Sequence, residues 1–266
     1  MKIILNNIRK DLEGSLTVGE LKKRINSQAD ITIVNTFPVS DNYLIKDGDN
    51  VIFIKRGDTP EKEDLEYMIA ARHGLDIWER LKKTSVAIAG LGGLGSHCAL
   101  SLARMGIGRM KLIDFDIVEP SNINRQCYFI DQLGERKTAA LKANIERINP
   151  FITIETEDAF IDASNIKNIF GGFDVIIEAF DSADSKTILI EEASACFPDS
   201  FIIGASGVAG YFNTDEFVKK RLGKNCIVIG DFKHGAGNEM GLMAARVAVA
   251  ANIQANEAVR YLLKEK

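Results

Sequence analysis

The sequence has no run of about 20 apolar residues, the length that a helix needs to cross a bilayer. Residues 1–5 lead directly into strand-like sequence, without the basic start, apolar run and small-residue cleavage site of a signal peptide. No dense cluster of Lys and Arg is present, and residues 58–266 carry 24 basic against 30 acidic side chains. These absences predict a cytoplasmic protein without a membrane partner, and they argue against a nucleic-acid partner.

Closely spaced cysteine pairs are also missing. The four cysteines form no Cys-x-x-Cys motif, which argues for free thiols rather than a disulfide framework. Cys196 falls late in an apolar helix and Cys226 precedes an Ile-Val-Ile run, so both are predicted to lie in the core. The three histidines have no metal-binding spacing.

Residues 1–57 have the pattern of a small domain. Strand-like runs lie at residues 2–6, 31–35 and 51–54, and residues 17–20 form a capping box that opens a helix. Strand, helix, strand, turn and strand within so short a stretch predict a small β-grasp, that is ubiquitin-like, α+β domain.

Two further segments follow. Residues 58–83 are helical in composition and predict a linker helix, with Arg72 near its middle. From residue 84 to residue 266, strands and helices alternate, with buried-type strands at residues 86–89, 110–113, 174–179 and 201–204. Repeated strand–helix–strand units predict an α/β domain with a Rossmann-like, mostly parallel sheet and helices on both faces.

A glycine loop follows the first of these strands. Residues 90–96, Gly-Leu-Gly-Gly-Leu-Gly-Ser, contain Gly-x-Gly-x-x-Gly and open a helix, so backbone amides and the helix dipole could receive phosphate oxygens. Asp114 lies 19 residues after Gly95, at the end of the second strand, where a carboxylate can accept from ribose hydroxyls. The same features fit NAD, so the motif alone leaves a dehydrogenase and an adenylating enzyme open.

The segment after the second strand separates these two possibilities. Arg125 and Lys137 could neutralise a triphosphate, and Asn122 could hold a ribose or phosphate oxygen. Asp181 follows a parallel strand, where a carboxylate together with phosphate oxygens can hold magnesium. A solvated face for Arg125 and Lys137, and a helix N-cap for Asp181, are the alternatives.

Three motifs in order carry a family resemblance: Gly-x-Gly-Gly-Leu-Gly-Ser, Asp-Phe-Asp-x-Val-x-x-Ser-Asn-x-x-Arg-Gln, and a lysine-containing helix that ends in Ile-Asn-Pro. Over about residues 65–215, the chain resembles the ubiquitin-activating superfamily, whose bacterial members are ThiF, MoeB and HesA. Residues 1–56 resemble the sulfur carrier ThiS. The fusion of the two is similar to a ThiF subfamily.

The resemblance implies ATP and Mg²⁺ as ligands, a homodimer, and a set of contact residues. The family contacts to the phosphate loop, ribose, phosphates and magnesium fall in this order on Gly90, Gly92, Gly93, Gly95, Asp114 with nearby Asp116, Asn122, Arg125, Lys137 and Asp181. Family enzymes also reach an arginine across the dimer interface into the partner's ATP site, and Arg72 occupies a comparable place. Many relatives hold zinc with two Cys-x-x-Cys pairs, which this chain lacks.

The implied activity is adenylation of the C-terminal glycine carboxylate of a sulfur carrier, as in thiamin biosynthesis. The β-grasp domain of this chain ends Lys-Arg-Gly-Asp at residues 55–58 and continues, so it offers no free Gly-Gly carboxylate. The substrate is therefore expected to be a separate ThiS-like protein. The alternatives are a molybdopterin-synthase-type carrier, a tRNA nucleoside carboxylate, or a non-catalytic nucleotide-binding scaffold.

The fused domain generates a first prediction. If it is a degenerate carrier kept for stability, dimer contacts or regulation, deletion of residues 1–57 lowers at least one of stability, dimer content or activity. Chemical denaturation, size-exclusion chromatography and ATP–pyrophosphate exchange measure the three. A truncated protein that equals the full chain in all of them contradicts the hypothesis.

Overall fold

The structure of the chain is a computed structural model that describes residues 1–6, 8–25, 27–57, 62–70, 73–237 and 240–264. It divides into two units, Met1–Glu79 and Arg80–Lys266. The described residues form a five-stranded sheet in the first unit and a seven-stranded sheet in the second.

The first unit is built on the smaller sheet. Its strands are β1 Lys2–Leu5, β2 Ile8–Asp11, β3 Ile31–Val34, β4 Phe37–Val39 and β5 Asn50–Ile54, in the order β2-β1-β5-β3-β4. β1 and β5 are parallel, and the other neighbours are antiparallel. Its helices are α1 Val18–Arg24, α2 Lys62–Ala70 and α3 Leu75–Leu81, the last of which runs across the unit boundary.

Helix α1 lies against one face of this sheet. The Thr17 side chain accepts from the backbone N–H of Glu20, and the Glu20 carboxylate accepts from the N–H of Thr17, which is the predicted capping box. Val18 and Leu21 are fully buried against the apolar side chains of the strands. Local capping and one apolar helix face therefore produce the small mixed domain that the sequence predicted.

The segment predicted as one linker helix holds two separate helices, α2 and α3. Met68 of α2 packs against Ile33 and Ile52, which are a core pair of their own apart from the α1 cluster. Successive side chains of a strand point to opposite faces. Helix α2 thus covers β-grasp side chains that α1 does not, which composition alone could not indicate.

The second unit is built on the larger sheet. Its strands are β6 Ser85–Ala89, β7 Arg109–Ile113, β8 Thr153–Glu157, β9 Val175–Glu178, β10 Phe201–Ala205, β11 Val218–Arg221 and β12 Cys226–Gly230, in the order β11-β12-β10-β9-β6-β7-β8. All neighbours are parallel except β11 and β12. Its helices are α4 Gly93–Met105, α5 Lys137–Glu146, α6 Ile166–Ile169, α7 Ala183–Cys196 and α8 Ala244–Leu262.

Helices cover both faces of this sheet, as predicted. Helices α6 and α7 pack on the face that includes Ile176 and Ile202, whereas α4, α5 and α8 pack on the other. Strands β6, β9, β10 and β12 are buried throughout, which is why they read as continuous apolar runs. No described helix meets the length and hydropathy needed for a membrane span.

Charged side chains mark both edges of the larger sheet. Every residue of β11 is exposed, and Lys219 pairs with Glu257 at 2.8 Å. On β8, Glu155 and Glu157 pair with cations of the neighbouring strand β7 at 3.4 and 3.3 Å. Both edge strands therefore differ from the apolar central strands in composition.

The cysteine predictions have different outcomes. Cys226 is fully buried in β12, as predicted. Cys196 is exposed, so its predicted core position is wrong. Cys196 is the last residue of α7 and lies beyond the part of the helix whose Leu189 and Ala193 pack in the core.

The turn before β5 gives a second prediction. Asp49 is 4% exposed and accepts hydrogen bonds from Asn35 Nδ2, Tyr43 Oη and the Lys46 N–H. Burial and then the Asp49 charge raise the pKa of Tyr43. Asp49→Ala leaves three donors unpaired, so we expect the free energy of unfolding to fall by about 1–3 kcal/mol and the Tyr43 pKa to decrease.

Urea denaturation and ultraviolet titration measure these two effects. The matched control is Asp47→Ala, because exposed Asp47 accepts from only the Lys2 N–H in that turn, at 2.6 Å. It should change stability by less than about 1 kcal/mol. Equal losses in the two variants would show that the Asp49 network is not what holds the turn.

Candidate functional site

The glycine loop at the end of β6 has a backbone conformation that residues with a Cβ atom cannot adopt without a clash or strain. Gly90 has φ +88°, and a Cβ there would lie 2.8 Å from the carbonyl oxygen of Ala179. A Cβ on Gly95, in the first turn of α4, would lie 1.8 Å from the Gly90 carbonyl oxygen. The first turn of α4 therefore packs directly against the loop, and the unpaired backbone N–H groups of this helix N-terminus point towards the loop.

Asp114 lies at the end of β7 and is buried beside this loop. One carboxylate oxygen accepts from the Leu91 N–H at 2.6 Å, and the other accepts from the Asp116 N–H at 2.9 Å. The carboxylate predicted to meet a ribose thus also ties the glycine loop to the turn after β7. Each oxygen keeps a lone pair for a further donor.

Asp116 and Lys137 form an ion pair close to this turn. Lys137 Nζ donates to the Asp116 carboxylate at 2.7 Å, and the Lys137 side chain is 7% exposed. The Lys137 backbone N–H also donates to the Asp116 carbonyl. Part of the positive charge predicted for phosphate neutralisation is therefore balanced within the chain.

Asn122 is buried in the short turn that follows. Its Oδ1 accepts from the Glu119 N–H at 3.0 Å, and its backbone carbonyl accepts from the N–H groups of Arg125 and Gln126. The side chain thereby fixes the turn that carries Arg125.

Arg125 reaches the glycine loop. A Cβ on Gly93 would lie 3.7 Å from the Arg125 carbonyl and 3.8 Å from its Cγ. Arg125 Nη1 donates to the Ser121 carbonyl at 2.9 Å, whereas its buried Nε has no hydrogen-bond partner among the described residues. A buried guanidinium nitrogen without an acceptor is costly, which makes it a candidate ligand contact.

Gln126 is a site candidate that the sequence reasoning missed. It is buried, its Nε2 would lie 3.8 Å from a Cβ on Gly92, and its Oε1 has no partner in the described part of the chain. The available signal was its position directly after Arg125 in the quoted motif. Two unpartnered polar atoms, on Arg125 and Gln126, therefore lie beside the glycine loop.

Asp181 lies beyond the end of β9 and is exposed. The helix N-cap that was its alternative role belongs to Ser182, whose Oγ accepts from the Ser185 N–H. The Asp181 carboxylate is therefore not the cap of α7, and it is accessible to a cation.

Beneath Asp181, a second missed residue holds the strand ends together. Glu178 is fully buried, pairs with Lys186 of α7 at 2.9 Å, and accepts from the N–H groups of Phe180 and Ala205. Burial raises the pKa of Glu178, and Lys186 opposes this effect. This carboxylate connects the turn that carries Asp181 to β10. An acidic residue within an apolar strand was its only sequence signal.

The side chains and backbone groups around the glycine loop fit a nucleoside triphosphate. The glycine cradle, the unpartnered Arg125 Nε and the adjacent Lys137 supply donors suited to phosphate oxygens, and the unpartnered Gln126 Oε1 supplies an acceptor. Asp181 supplies a single exposed carboxylate, as magnesium requires when phosphates complete its coordination. No group of three or more metal-ligating side chains is present among the described residues. Arg72 lies outside the described residues.

The Glu178–Lys186 pair gives a third prediction. Lys186→Met leaves a buried carboxylate uncompensated, so we expect a loss of about 3–5 kcal/mol in the free energy of unfolding. Because burial already raises the Glu178 pKa, protonation relieves the variant. Its stability should therefore fall as pH rises from mildly acidic to neutral.

Denaturant titrations at several pH values test this, with the double variant Glu178→Gln/Lys186→Met as the matched control. The double variant has no charge at this buried position, so it should recover part of the stability and lose the pH slope. A single variant whose stability is as insensitive to pH as that of the double variant would contradict the assignment.

Two family models match the chain. The model described as the ThiF family matches residues 65–266, and that of the ThiS-like ubiquitin family matches residues 1–57. Among curated proteins, the chain is 31% identical over 217 residues to the molybdopterin-synthase adenylyltransferase of Haemophilus influenzae, covering 76% of this chain and 86% of that protein. It is 30% identical over 149 residues to the sulfur carrier protein adenylyltransferase of Thermus thermophilus, covering 54% of this chain and 55% of that protein.

Solved structures support the same fold. The E. coli tRNA N6-threonylcarbamoyladenosine dehydratase TcdA in complex with ATP superposes with a TM-score of 0.68 at 20% identity, covering 77% of this chain and 97% of that chain. E. coli MccB with ATP gives a TM-score of 0.56 at 21% identity, covering 79% and 73%. The chain therefore belongs to the ThiF family of adenylyltransferase-like enzymes and carries a ThiS-like ubiquitin domain at its N-terminus.

Proposed function

We propose that this protein is an ATP-dependent adenylyltransferase that activates the C-terminal glycine carboxylate of a separate ThiS-like sulfur carrier, in thiamin biosynthesis. The observation that carries the proposal is the buried, unpartnered Arg125 Nε beside the glycine loop. Membership of the ThiF family supports the reaction class. The carrier is separate because the fused β-grasp domain has no free Gly-Gly end.

In the proposed reaction, a carboxylate oxygen of the carrier attacks the α-phosphorus of ATP and pyrophosphate leaves. The product is a carrier acyl-adenylate, a mixed anhydride. No protein nucleophile is needed, so the enzyme contributes positioning and charge stabilisation. Arg125 and Lys137 stabilise the phosphates, and Asp114 and Asn122 hold the ribose side of the site. Magnesium at Asp181 would neutralise phosphate charge when bound.

The proposed assembly is a homodimer in which Arg72 of each protomer reaches the partner's ATP site. In a symmetric dimer, one interface would bring an arginine from each protomer to the ATP site of the other protomer, so that both sites are completed. The proposal also places the protein in the cytoplasm, where reduced thiols are maintained; no Cys-x-x-Cys motif and no disulfide is present among its four cysteines.

A molybdopterin-synthase-type carrier is the second candidate substrate. The observation that favours it is the 31% identity to the Haemophilus influenzae molybdopterin-synthase adenylyltransferase. Both carriers would present a C-terminal glycine carboxylate to the same site, so the chemistry is unchanged. The two candidates differ only in the surface of the carrier.

Isotope exchange between pyrophosphate and ATP tests the proposed function, with and without carriers ending in Gly-Gly of the two types. We expect exchange that depends on one of these carriers. No exchange with either type, or exchange that never depends on a carrier, would refute the proposal.

The same assay gives a fourth prediction. Arg125→Ala should lower exchange by about 10²–10³-fold, because it removes charge stabilisation of the phosphates during transfer. The control is Arg147→Ala, since Arg147 is an exposed arginine at the end of α5. Circular dichroism would verify that both variants are folded. Similar exchange in the two variants would contradict the role given to Arg125.

A further inference from the structure

The glycine loop reaches solvent at one residue. Within residues 90–96, Gly92 is partly exposed and the others are buried. The Gly92 backbone N–H donates no hydrogen bond within the described part of the chain. A loop at the carboxyl end of a parallel strand that presents an unpaired donor at its exposed point is suited to an anion. The direction of this N–H therefore decides which ligand atom it can meet.

The direction of the Gly92 N–H is set by the carbonyl of the same peptide group. The peptide bond between Leu91 and Gly92 is planar and trans, so its C=O and its N–H point in opposite directions. The Leu91 carbonyl accepts a hydrogen bond from Tyr128 Oη at 2.8 Å. Tyr128 is 4% exposed. The Gly92 N–H is therefore turned away from the buried Tyr128 side chain and out of the loop.

Tyr128 is a donor that is itself held in place. Burial, and then the negative charge of Asp114, raise the pKa of the Tyr128 phenol, so the hydroxyl keeps its proton at neutral pH. The preceding residue is fixed on both sides of its backbone. The Cys127 N–H donates to Ser96 Oγ at 3.1 Å, and the Cys127 carbonyl accepts from Asn144 Nδ2 at 3.0 Å. The phenol thus reaches the loop from a segment anchored to two helices.

The two neighbouring peptide groups of the loop are fixed by other residues. The Leu91 N–H donates to Asp114 at 2.6 Å. The Gly92 carbonyl accepts from Ser96 Oγ at 2.7 Å and from the Ser96 N–H at 3.0 Å. Among the described residues, the peptide group between them has no hydrogen bond except that from Tyr128. Loss of the Tyr128 hydroxyl would therefore release the middle one of three consecutive peptide groups.

We propose that Tyr128 is a positioning residue that, through the Leu91 carbonyl, directs the Gly92 N–H at a phosphate oxygen of bound ATP. This inference rests on the ATP site of the proposed function. A peptide group already held in this orientation needs no rearrangement when the nucleotide binds or when charge develops on the phosphate. Tyr128 acts at a distance from the reacting atoms, through one backbone group.

Tyr128→Phe tests the proposal in the full-length protein, because it removes the hydroxyl and keeps the ring. We expect the kcat of carrier-dependent pyrophosphate exchange to fall by about 10–10²-fold, with the KM for ATP within about 3-fold of the wild type, since the donor acts on charge that develops in the transition state.

The matched control is Tyr261→Phe. The Tyr261 hydroxyl also donates to a backbone carbonyl, that of Asp199, at 3.1 Å. Asp199 precedes β10, which runs parallel to β9 and hence to β6, so this hydrogen bond lies at the opposite end of the strands from the glycine loop. Exchange by Tyr261→Phe should equal that of the wild type.

Nuclear magnetic resonance observes the Gly92 N–H directly. With carbonyl-¹³C leucine and ¹⁵N glycine, an amide signal filtered through the carbonyl arises only from Leu-Gly pairs, of which the sequence has four, at residues 91–92, 94–95, 133–134 and 222–223. In the wild type, ATP with magnesium and no carrier should move the Gly92 proton downfield, as a hydrogen bond to an anion does. Tyr128→Phe should largely lose this shift, whereas unchanged Gly134 and Gly223 signals verify its fold.

Each outcome decides the proposal. Equal exchange in Tyr128→Phe and Tyr261→Phe would overturn the positioning role while adenylation stands. A slow Tyr128→Phe protein whose Gly92 signal still moves as in the wild type would also overturn it, because the hydroxyl would then act through the adjoining Arg125 segment. Absence of exchange in the wild type would refute the proposed function alone. The ATP-dependent Gly92 shift then still decides, since its loss in Tyr128→Phe supports the role of Tyr128 and an equal shift in both proteins contradicts it.

Discussion

The close approach of helix α4 to the glycine loop is the constraint on which the geometry of the candidate site depends. No side chain can separate Gly95 from the Gly90 carbonyl, so the helix begins directly against the end of strand β6. This close approach restricts the conformation of the loop, in which the Leu91 N–H donates a hydrogen bond to the Asp114 carboxylate. That carboxylate then sets the turn that leads to Asp116. A single steric requirement thus positions two strand ends and a helix terminus together.

Helix α8 extends this arrangement to the far side of the sheet. In the first turn of α8, the Val247 side chain packs against Gly93, where a Cβ would lie 2.8 Å from Val247 Cγ1. The preceding residue, Arg246, forms an ion pair with Asp231 beyond the end of β12. The glycine loop and Asp231 are consequently attached to the same rigid element. A buried ion pair contributes little net stability, yet it fixes orientation when each partner has further hydrogen bonds. Here Asp231 has backbone donors and Arg246 has backbone acceptors.

Much of the architecture could be predicted from the sequence because its signals are local. The capping box at Thr17, the glycine loop and the continuous apolar strands each carry their own pattern. Strands β2 and β11 have no such pattern, since all four residues of each are exposed. They exist because the adjacent strand of a short hairpin, β1 for β2 and β12 for β11, offers hydrogen bonds to them. Such pairing leaves no apolar alternation in the sequence of the exposed strand.

The site shows the same division between local and tertiary information. Arg125 and Lys137 could be proposed from motif spacing, whereas the partner of Lys137 could not, because Asp116 lies 21 residues away. Glu178 and Gln126 matter through burial, which depends on elements packed from elsewhere in the chain. The Arg246–Asp231 pair joins a helix to a strand end across 15 residues, and no local pattern connects the two residues.

The charged edges of the large sheet have a consequence for solubility during folding and after it. An edge strand has free N–H and C=O groups that can pair with a strand of another molecule. On β11, Lys219, Lys220 and Arg221 would have to give up water for such a pairing. On β8, Glu155 and Glu157 impose the same cost with the opposite sign. The charged side chains of β8 and β11 therefore keep both edge strands hydrated, which opposes their pairing with strands of other molecules.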